Sequence, residues 1–298
     1  MVGFCTACLA GLLRGRTDPG ELESSVAGSN TRMHPYVAEE RAAAVRRFGE
    51  RYPRLSFAPI VVVIAAYNEE ESIGEVLGAI PPEVDGLQVD TLVVDDGSSD
   101  GTERVAGQYP GVHLASLARN CGHGVALRLG YQLAREYGAD YIVTLDADMQ
   151  WDPVEIPGVL EPLLKDEADF VLGSRVLGVA ETDDAFRHAG VTLFARLVRL
   201  LTGVPVTDTS TGFRALRAEV TAKVPQKQVQ YQTSELLIGA IYAGYRIAER
   251  PVTMHKRFAG ESKKGHNLIY GLRYARVILT TWRRESRRAG IPMRRVRR

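Results

Sequence analysis

The sequence has few cysteines and no long apolar run. Only three of its 298 residues are cysteine; Cys5 and Cys8 form one CxxC pair, and Cys121 stands alone. A structural zinc site needs more cysteine or histidine ligands than that pair supplies, so we expect the reduced thiols of a cytosolic protein. A membrane-spanning helix requires roughly 18 consecutive apolar residues, and no run approaches that length.

Two common phosphate-binding motifs are also missing. No GxGxxG follows the first predicted strand, and the GxxxxGK[ST] of a P-loop does not occur. The glycine-rich stretch at 121–130, CGHGVALRLG, has its glycines at the wrong spacing for either motif. A dinucleotide site of the Rossmann type and a P-loop nucleotide site are therefore both unsupported.

The first residues resemble a signal peptide only superficially. The segment MVGFCTACLAGLLRGR has no basic residues ahead of its apolar stretch and no clear small-residue cleavage site. We therefore expect a cytoplasmic protein in which residues 1–57 form a leader with one charged helix, at 34–53.

Positive charge is concentrated at the C-terminal end, although the formal net charge is only +1. From Arg273 to Arg298 there are ten arginines and one acid, Glu285. Residues 266–298 are predicted to form a basic amphipathic tail, helical from about 268 to 288, that binds anionic lipid at the inner face of the cell membrane. The alternative is a solvated face. No nucleic acid is expected, because no platform of stacking aromatics accompanies the charge. The predicted apolar side consists of Leu268, Ile269, Tyr270, Leu272, Tyr274, Val277 and Ile278.

Buried strands alternate with helices through residues 58–265. Continuous apolar runs at 60–66 and 91–96 are typical of strands covered on both faces. Further strands are predicted at 112–116, 141–148 and 169–175, with helices at 68–80, after 100, and at 124–137, 155–165 and 185–201. This alternation predicts a single α/β domain with a mostly parallel, Rossmann-like central sheet flanked by helices.

The alternation ends beyond Gly203. The sequence there predicts a loop with a short strand at 207–217, a helix at 233–244, and a strand at 245–254 that is interrupted at Pro251. Arg214 and Arg217 could simply solvate the edge of the short strand. Asn68 with Glu71, and Asp100 with Glu103, are expected to cap the helices after the first two strands.

Polar residues follow three of the predicted strands, at 67–69 (YNE), 95–98 (DDGS) and 146–148 (DAD). In open α/β sheets, ligands bind beyond the carboxyl ends of the strands. One such acid could be only a helix cap, but three at the same edge predict a binding site.

The residue types at this edge suit a nucleotide and a hard cation. Asp146 and Asp148 are spaced i, i+2, which in an extended chain places both carboxylates on one side. With the amide oxygen of Gln150 they offer the oxygen ligands that Mg²⁺ or Mn²⁺ prefers. Asp95 and Asp96 could accept hydrogen bonds from a nucleobase N–H or from ribose hydroxyls.

Taken in order, the motifs resemble those of inverting family 2 glycosyltransferases with the GT-A fold. The resemblance covers about residues 58–265 and is strongest to the dolichyl- and polyprenyl-phosphate sugar synthases, such as dolichol-phosphate mannosyltransferase. Each motif alone is weak, whereas the ordered set is specific. The segments are VVVIAAYNEEESI, TLVVDDGSSDGT, N-CGHG-ALRLGY, VTLDADMQ-DP, LGSR, DTSTGFRA and ER-VTMHKRFAGESKK.

The resemblance implies a nucleoside-diphosphate sugar donor, linked to GDP or UDP, a divalent metal, and a single displacement with inversion onto a lipid phosphate. It assigns donor binding to Ala65, Tyr67, Glu69, Asp95, Asp96, Asp146 and Ala147. It assigns the metal to Asp146, Asp148 and Gln150. The catalytic set, with its phosphate-facing cations, is Asp148, Arg175, Arg187, Arg257 and Lys263. The acceptor side comprises Asp208, Gly212, Phe213, Glu235 and Ser262.

Two departures from the family pattern bear on these expectations. Family members commonly have proline at the position of Ala65, and many bacterial relatives carry C-terminal transmembrane helices where this chain has the basic tail. Glu235 could be a general base or a structural acid.

Two other functions stay open from the sequence, transfer to a soluble or saccharide hydroxyl and a non-catalytic nucleotide-binding role. A processive polysaccharide synthase is disfavoured, because the sequence contains no QxxRW motif.

Overall fold

The computed structural model describes residues 35–181, 185–228, 231–256 and 267–290, without the side chains of 35, 185–187 and 267–270. The helices are α1 Pro35–Arg51, α2 Ile73–Ala79, α3 Thr102–Ala106, α4 His123–Glu136, α5 Ile156–Leu164, α6 Ala185–Thr202, α7 Ala218–Lys223, α8 Gln232–Tyr242 and α9 Asn267–Arg288. The strands are β1 Ile60–Ala66, β2 Glu83–Val84, β3 Leu87–Asp95, β4 Val112–Ser116, β5 Tyr141–Asp146, β6 Phe170–Ala180, β7 Arg214–Arg217 and β8 Ile247–Met254.

The described strands form one mixed sheet in the order β2-β3-β1-β5-β7-β6-β8, with β4 paired to β3. The pairs β1–β3, β1–β5, β3–β4 and β6–β8 are parallel, as expected for this α/β fold. The short strand β7 lies antiparallel between β5 and β6 and so joins the two halves of the sheet.

The core lies on both faces of the sheet. Every residue of β1 is buried, and its side chains alternate between the two apolar clusters. One cluster includes residues of α1, α4, α6, α8 and α9, and the other includes residues of α2, α3 and α5. Burying a valine or isoleucine side chain stabilises a fold by about 1.5–3 kcal/mol, so this central strand anchors the domain.

Several expected boundaries were wrong. Helix α2 begins at Ile73 rather than near 68, and Ser72 at its N-cap makes no side-chain cap. Instead of forming a capping box, Asn68 has a φ of 53° and accepts a hydrogen bond from the Ser99 N–H. Strand β8 continues through Pro251. Pro251 is tolerated there because β8 is an edge strand, where a residue without a backbone N–H need not donate a hydrogen bond to a neighbouring strand.

Helix α9 confirms the helical tail. The side chains of Leu268, Ile269 and Tyr270 lie outside those described, and three of the other four expected apolar residues face the protein. Tyr274, Val277 and Ile278 are buried, whereas Leu272 is 66% exposed. The acid Glu285 is buried and pairs with Arg284 and Arg288. An apolar helix face can pack on a protein core as well as on lipid, and here the core takes it. In the part of the chain that the structure describes, no helix combines the length and hydropathy of a membrane span.

Candidate active site

Register places the acidic strand ends side by side. Ala66 of β1 lies opposite Asp95 of β3, and Ala65 lies opposite Asp146 of β5. Ala65 itself is 8% exposed, so its methyl group packs within the sheet. The three polar strand ends therefore meet at one edge, as parallel pairing requires.

The loops after β1 and β3 are interlocked by side chain–backbone hydrogen bonds. The Asn68 N–H donates to Ser98 Oγ at 2.9 Å, and the Ser99 N–H donates to Asn68 Oδ1 at 2.8 Å. The Glu69 N–H donates to Thr102 Oγ1 at 2.9 Å. Tyr67, the remaining residue expected here, is half-buried in the same loop. Tyr67 and Glu69 are thus held on a fixed backbone beside the DDGS turn.

Asp95 closes the turn that follows β3. Its carboxylate is 3% exposed and accepts hydrogen bonds from the N–H and the hydroxyl of Ser98. Burial raises the pKa of Asp95 above its usual value, and the hydrogen bonds from Ser98 oppose the rise. Asp95 therefore shapes the loop, and its carboxylate is already engaged within it.

Asp96 lies deeper and binds the connection between β4 and α4. Its Oδ1 accepts the Cys121 N–H at 2.7 Å, and its Oδ2 accepts the Gly122 N–H at 2.9 Å. Burial raises the pKa of Asp96 to about 7, with Asp95 adding to the rise and the two N–H groups opposing it. A carboxyl group that titrates near neutrality at a strand end is typical of a functional site.

The acids after β5 are related by a turn. The strand ends at Asp146, and Met149 has a φ of 56°, so the expected extended spacing of Asp146 and Asp148 was wrong. Asp146 remains 32% exposed; its Oδ2 accepts the Trp151 indole N–H at 3.0 Å, and its Oδ1 lies 3.9 Å from His123 Nε2.

Asp148 and Gln150 belong to the same turn and are less exposed than Asp146. Asp148 is 4% exposed and accepts the Gln150 N–H at 3.2 Å, while Gln150 is also buried. Ala147, between the two acids, packs into the core.

These residues fit the family's divalent cation by donor chemistry. Within the described ranges, no cluster of three or more His, Cys, Asp or Glu is arranged to hold a metal ion. A cation here would draw on the carboxylates of Asp146 and Asp148 and on the Gln150 amide oxygen. Such an oxygen set suits Mg²⁺ or Mn²⁺, which take their remaining ligands from substrate phosphates and water.

The loop at residues 207–213, which the sequence predicts on the acceptor side and which we call the acceptor-side loop, is tied to β6 and β8. Arg175 of β6 is buried and donates from Nε and Nη2 to the two carboxylate oxygens of Asp208, at 2.5 and 3.1 Å. Glu249 of β8 accepts the N–H groups of Thr207 and Asp208. Arg175, expected to face a phosphate, is thus committed to a bidentate pair that fixes the loop.

The same loop touches Asp146, which the sequence predicts to be a metal ligand. A Cβ added to Gly212 would lie 2.2 Å from Asp146 Oδ2, so only glycine allows this approach. Phe213 is fully buried and its ring packs 6.4 Å from that of Trp151. Arg214 is also wholly buried rather than solvated at an edge.

Glu235 is a buried acid with a full set of partners. It is 0% exposed and accepts the N–H groups of Lys227 and Gln228, each at 2.8 Å. Arg284 of α9 donates to its other oxygen at 2.7 Å. These contacts favour the structural alternative for Glu235, because they anchor α9 and leave the carboxylate away from solvent.

Four expected cations and acceptor residues have no described side chain. Arg187 lies in α6, but only its backbone is described. Arg257, Ser262 and Lys263 lie outside the described residues.

Sequence reasoning missed three side chains that shape the site. They are Trp151 and His123, which flank Asp146, and Glu249, which holds the acceptor-side loop. Trp151 and His123 stand inside motifs that did draw notice, but nothing in their spacing indicates the contacts with Asp146.

The mixed sheet with its flanking helices has the GT-A fold. The crystal structure of glucosyl-3-phosphoglycerate synthase from Mycobacterium tuberculosis, in complex with Mn²⁺, UDP and glucosyl-3-phosphoglycerate, matches with a TM-score of 0.58. The match has 23% sequence identity and covers 83% of this chain and 85% of that chain. At that identity the likeness establishes the fold.

The chain belongs to glycosyl transferase family 2, whose family model matches residues 61–224. It is 36% identical over 208 residues to dolichyl-phosphate hexose transferase of Haloferax volcanii. That alignment covers 70% of this chain and 87% of the relative. It is 31% identical over 220 residues to polyprenol monophosphomannose synthase of Mycolicibacterium smegmatis, in an alignment that covers 70% of this chain and 82% of the relative. Undecaprenyl-phosphate mannosyltransferase of Micrococcus luteus is 30% identical over 242 residues, covering 78% and 97%.

The raised pKa of Asp96 predicts a pH-dependent stability. Below about pH 4 the Asp96 carboxyl group is protonated in both the folded and the unfolded chain, so its titration does not change the free energy of unfolding there. As the pH rises towards 7, the unfolded chain loses the proton while the folded chain keeps it, and stability falls. Between about pH 5.5 and 8, the free energy of unfolding of Asp96→Asn should therefore rise relative to wild type by about 2 kcal/mol. Urea unfolding at both pH values measures this; a difference that does not change with pH would contradict the assignment.

The Arg284–Glu235 pair predicts a stability effect in α9. Arg284→Met should lower the free energy of unfolding by about 3 kcal/mol, because it leaves a buried carboxylate without its cation. Arg283→Met is the matched control, since Arg283 is the exposed neighbour on the same helix. Chemical denaturation of both variants tests this, and equal stability of the two would argue against the pair.

Proposed function

We propose that this glycosyltransferase moves a sugar from a GDP- or UDP-linked donor to a polyprenyl or dolichyl phosphate, with inversion and with Mg²⁺ or Mn²⁺. The observation that carries the proposal is the meeting of Asp95, Asp96, Asp146 and Asp148 at one sheet edge. Its support is the family, together with relatives whose names specify lipid-phosphate acceptors.

The donor's nucleoside is proposed to lie between the loops after β1 and β3. Tyr67 offers a half-buried ring for the base, and Asp96 is proposed to accept from the base through lone pairs that its bonds to the Cys121 and Gly122 N–H groups leave over. Glu69 lies on the same loop, and its Oε2 accepts a hydrogen bond from the Ser72 hydroxyl at 3.2 Å. Because hydrogen bonds already hold the two loops together, donor binding would require little ordering of their backbone, which lowers the cost of binding.

The diphosphate is proposed to face Asp146, Asp148 and Gln150 together with the cation. A bound Mg²⁺ or Mn²⁺ would neutralise negative charge that develops on the departing nucleoside diphosphate. Solved structures of the Mycobacterium tuberculosis synthase contain Mn²⁺ or Mg²⁺. In this chain, Trp151 and Gly212 orient Asp146 so that one carboxylate oxygen is directed away from the indole.

A phosphate acceptor suits the acids and bases of this site. A hydroxyl acceptor would need a general base at the attacking oxygen, and the partners of Glu235 leave it poorly placed for that role. A phosphate monoester is already anionic near pH 7 and needs positive charge to position it. Arg187, Arg257 and Lys263, with Ser262 beside them, are the proposed contacts.

The lipid acceptor is proposed to be met at an anionic membrane surface. Arg273, Arg276, Arg283 and Arg287 are exposed along one side of α9, opposite its buried residues. Helix α6 packs on α9 through the Phe194–Tyr274 ring contact and contains no acid. Of the large apolar side chains exposed in the described ranges, all but one lie on β6, α6 or α9. Exposed leucines among arginines are typical of a peripheral membrane surface.

The function is tested by turnover. Purified protein with Mn²⁺, a panel of UDP- and GDP-sugars and short polyprenyl phosphates should yield glycolipid and free nucleoside diphosphate. Asp148→Asn should abolish transfer, because it removes a carboxylate from the cation site. Asp140→Asn, an exposed change at the opposite end of β5, should leave transfer unchanged. Transfer to a sugar hydroxyl but to no lipid phosphate would overturn the acceptor; full activity of Asp148→Asn would refute the metal assignment.

Membrane binding has a separate test. The double variant Arg276→Gln/Arg283→Gln should bind vesicles of phosphatidylglycerol and phosphatidylcholine about 30-fold more weakly than wild type, because each arginine near an anionic surface contributes about 1 kcal/mol. Arg46→Gln/Arg54→Gln, two exposed arginines elsewhere on the protein, is the control. Co-flotation measures both, and equal binding of the two double variants would refute this surface.

A further inference from the structure

Helix α1 lies before the residues that match the family, yet it contacts the segment that holds Asp96. The matched region begins at residue 61, whereas α1 spans Pro35–Arg51. The helix packs against β4 and α4, and its polar contacts converge on residues 116–122, which we call the β4–α4 connection.

Glu40 and Arg47 clamp the near end of this connection. Glu40 Oε1 accepts the Ala118 N–H at 2.9 Å and pairs with Arg47 Nη2 at 2.7 Å. The same Nη2 donates to the Ser116 carbonyl at 2.9 Å. The Glu40 side chain is only 10% exposed, whereas that of Arg47 is 48% exposed, so the carboxylate is shielded while its cation reaches solvent.

A third contact comes from Tyr36. The Arg119 guanidinium lies over its ring, 4.2 Å from the centroid, in a cation–π arrangement. Glu40 is ionised in this setting, because the Ala118 N–H and Arg47 lower its pKa despite the opposing effect of burial.

The far end of the connection reaches the site. Cys121 and Gly122 donate the two N–H groups that Asp96 accepts. Just before them, the backbone of Arg119 lies so close to Gly97 that an added Cβ would be 2.4 Å from the Arg119 carbonyl carbon. Gly97 has a φ of 74°, so the turn and the connection fit together only with glycine there.

The edge of the sheet explains why a brace is needed. Among the described strands, β4 pairs only with β3. The connection that follows β4 therefore has no outer strand among those described to hold it, and the side chains of α1 bind it instead.

We infer that α1 is a positioning element for the nucleoside pocket, in which Glu40 acts through the β4–α4 connection to set the place of Asp96. The inference rests on the proposed function, because the pocket's ligand is taken to be a nucleoside diphosphate. Glu40 touches no ligand itself. Its loss should therefore weaken recognition of the nucleoside and leave the cation and phosphate part of the site intact.

The test compares ligands with and without a nucleoside. Glu40→Ala should raise the Kd of the better-binding of UDP and GDP, each titrated with Mn²⁺, by about tenfold, which is the loss of one charged hydrogen bond. The Kd of inorganic pyrophosphate with Mn²⁺ should not change. Glu39→Ala, an exposed acid on the same helix, should match wild type, and Glu40→Gln, which keeps an acceptor oxygen, should lie between.

A second measurement needs no ligand. Amide hydrogen exchange at Cys121 and Gly122 should quicken in Glu40→Ala and stay at the wild-type rate in Glu39→Ala. If Glu40→Ala lost pyrophosphate and nucleotide affinity equally, or changed neither amide exchange nor nucleotide affinity, the role of α1 would be overturned and the proposed function would stand. Failure of the wild type to bind either nucleotide would overturn the proposed function, and the pocket assignment with it.

Discussion

The parallel pairing of β1 with both β3 and β5 is the constraint on which the site depends. It sets Asp95 and Asp146 on either side of the β1 end, at one level of the sheet. A slip of either neighbour towards the core would carry its acid among apolar side chains, where an unpaired carboxylate costs several kcal/mol. The acids therefore help to fix the register that brings them together.

Asp96 and Asp208 are buried and Glu249 is half-buried, and each has its own hydrogen-bonding partners. Asp96 has two backbone donors, Asp208 has a bidentate arginine, and Glu249 has the N–H groups of the loop that it holds. Such bonds orient the carboxylates before a ligand binds, which avoids reorganisation at the moment of reaction. Asp146 differs, since it stays partly exposed between Trp151 and His123. It is the acid best placed to meet a cation from solvent.

The sequence was sufficient for the local part of the fold. Continuous apolar runs such as IVVVIAA predict strands buried on both faces, and parallel pairing then requires their polar ends to meet. The sequence did not predict that Arg175 would be committed to Asp208, because the contact depends on how the loop at 207–213 lies between β6 and β8, and no local pattern specifies that placement. Nor does amphipathicity distinguish a helix face that packs on protein from one that packs on lipid. Tyr274 and Ile278 of α9, which the sequence predicts on a lipid-facing side, are buried against the protein.

The orientation of α9 changes the argument about the acceptor. If its apolar side had been free, the helix alone would have been the membrane anchor. With Tyr274, Val277 and Ile278 on the core, the large apolar side chains exposed in the described ranges lie, apart from Val154, on the end of β6, on α6 and on α9. Leu177 at 52% and Leu200 at 81% exposure are examples. The end of β6 that bears Leu177 continues directly from Arg175, which fixes the acceptor-side loop, so part of this apolar surface adjoins that loop in the chain. A lipid phosphate, which has a charged head on an apolar chain, matches that combination better than a free sugar does.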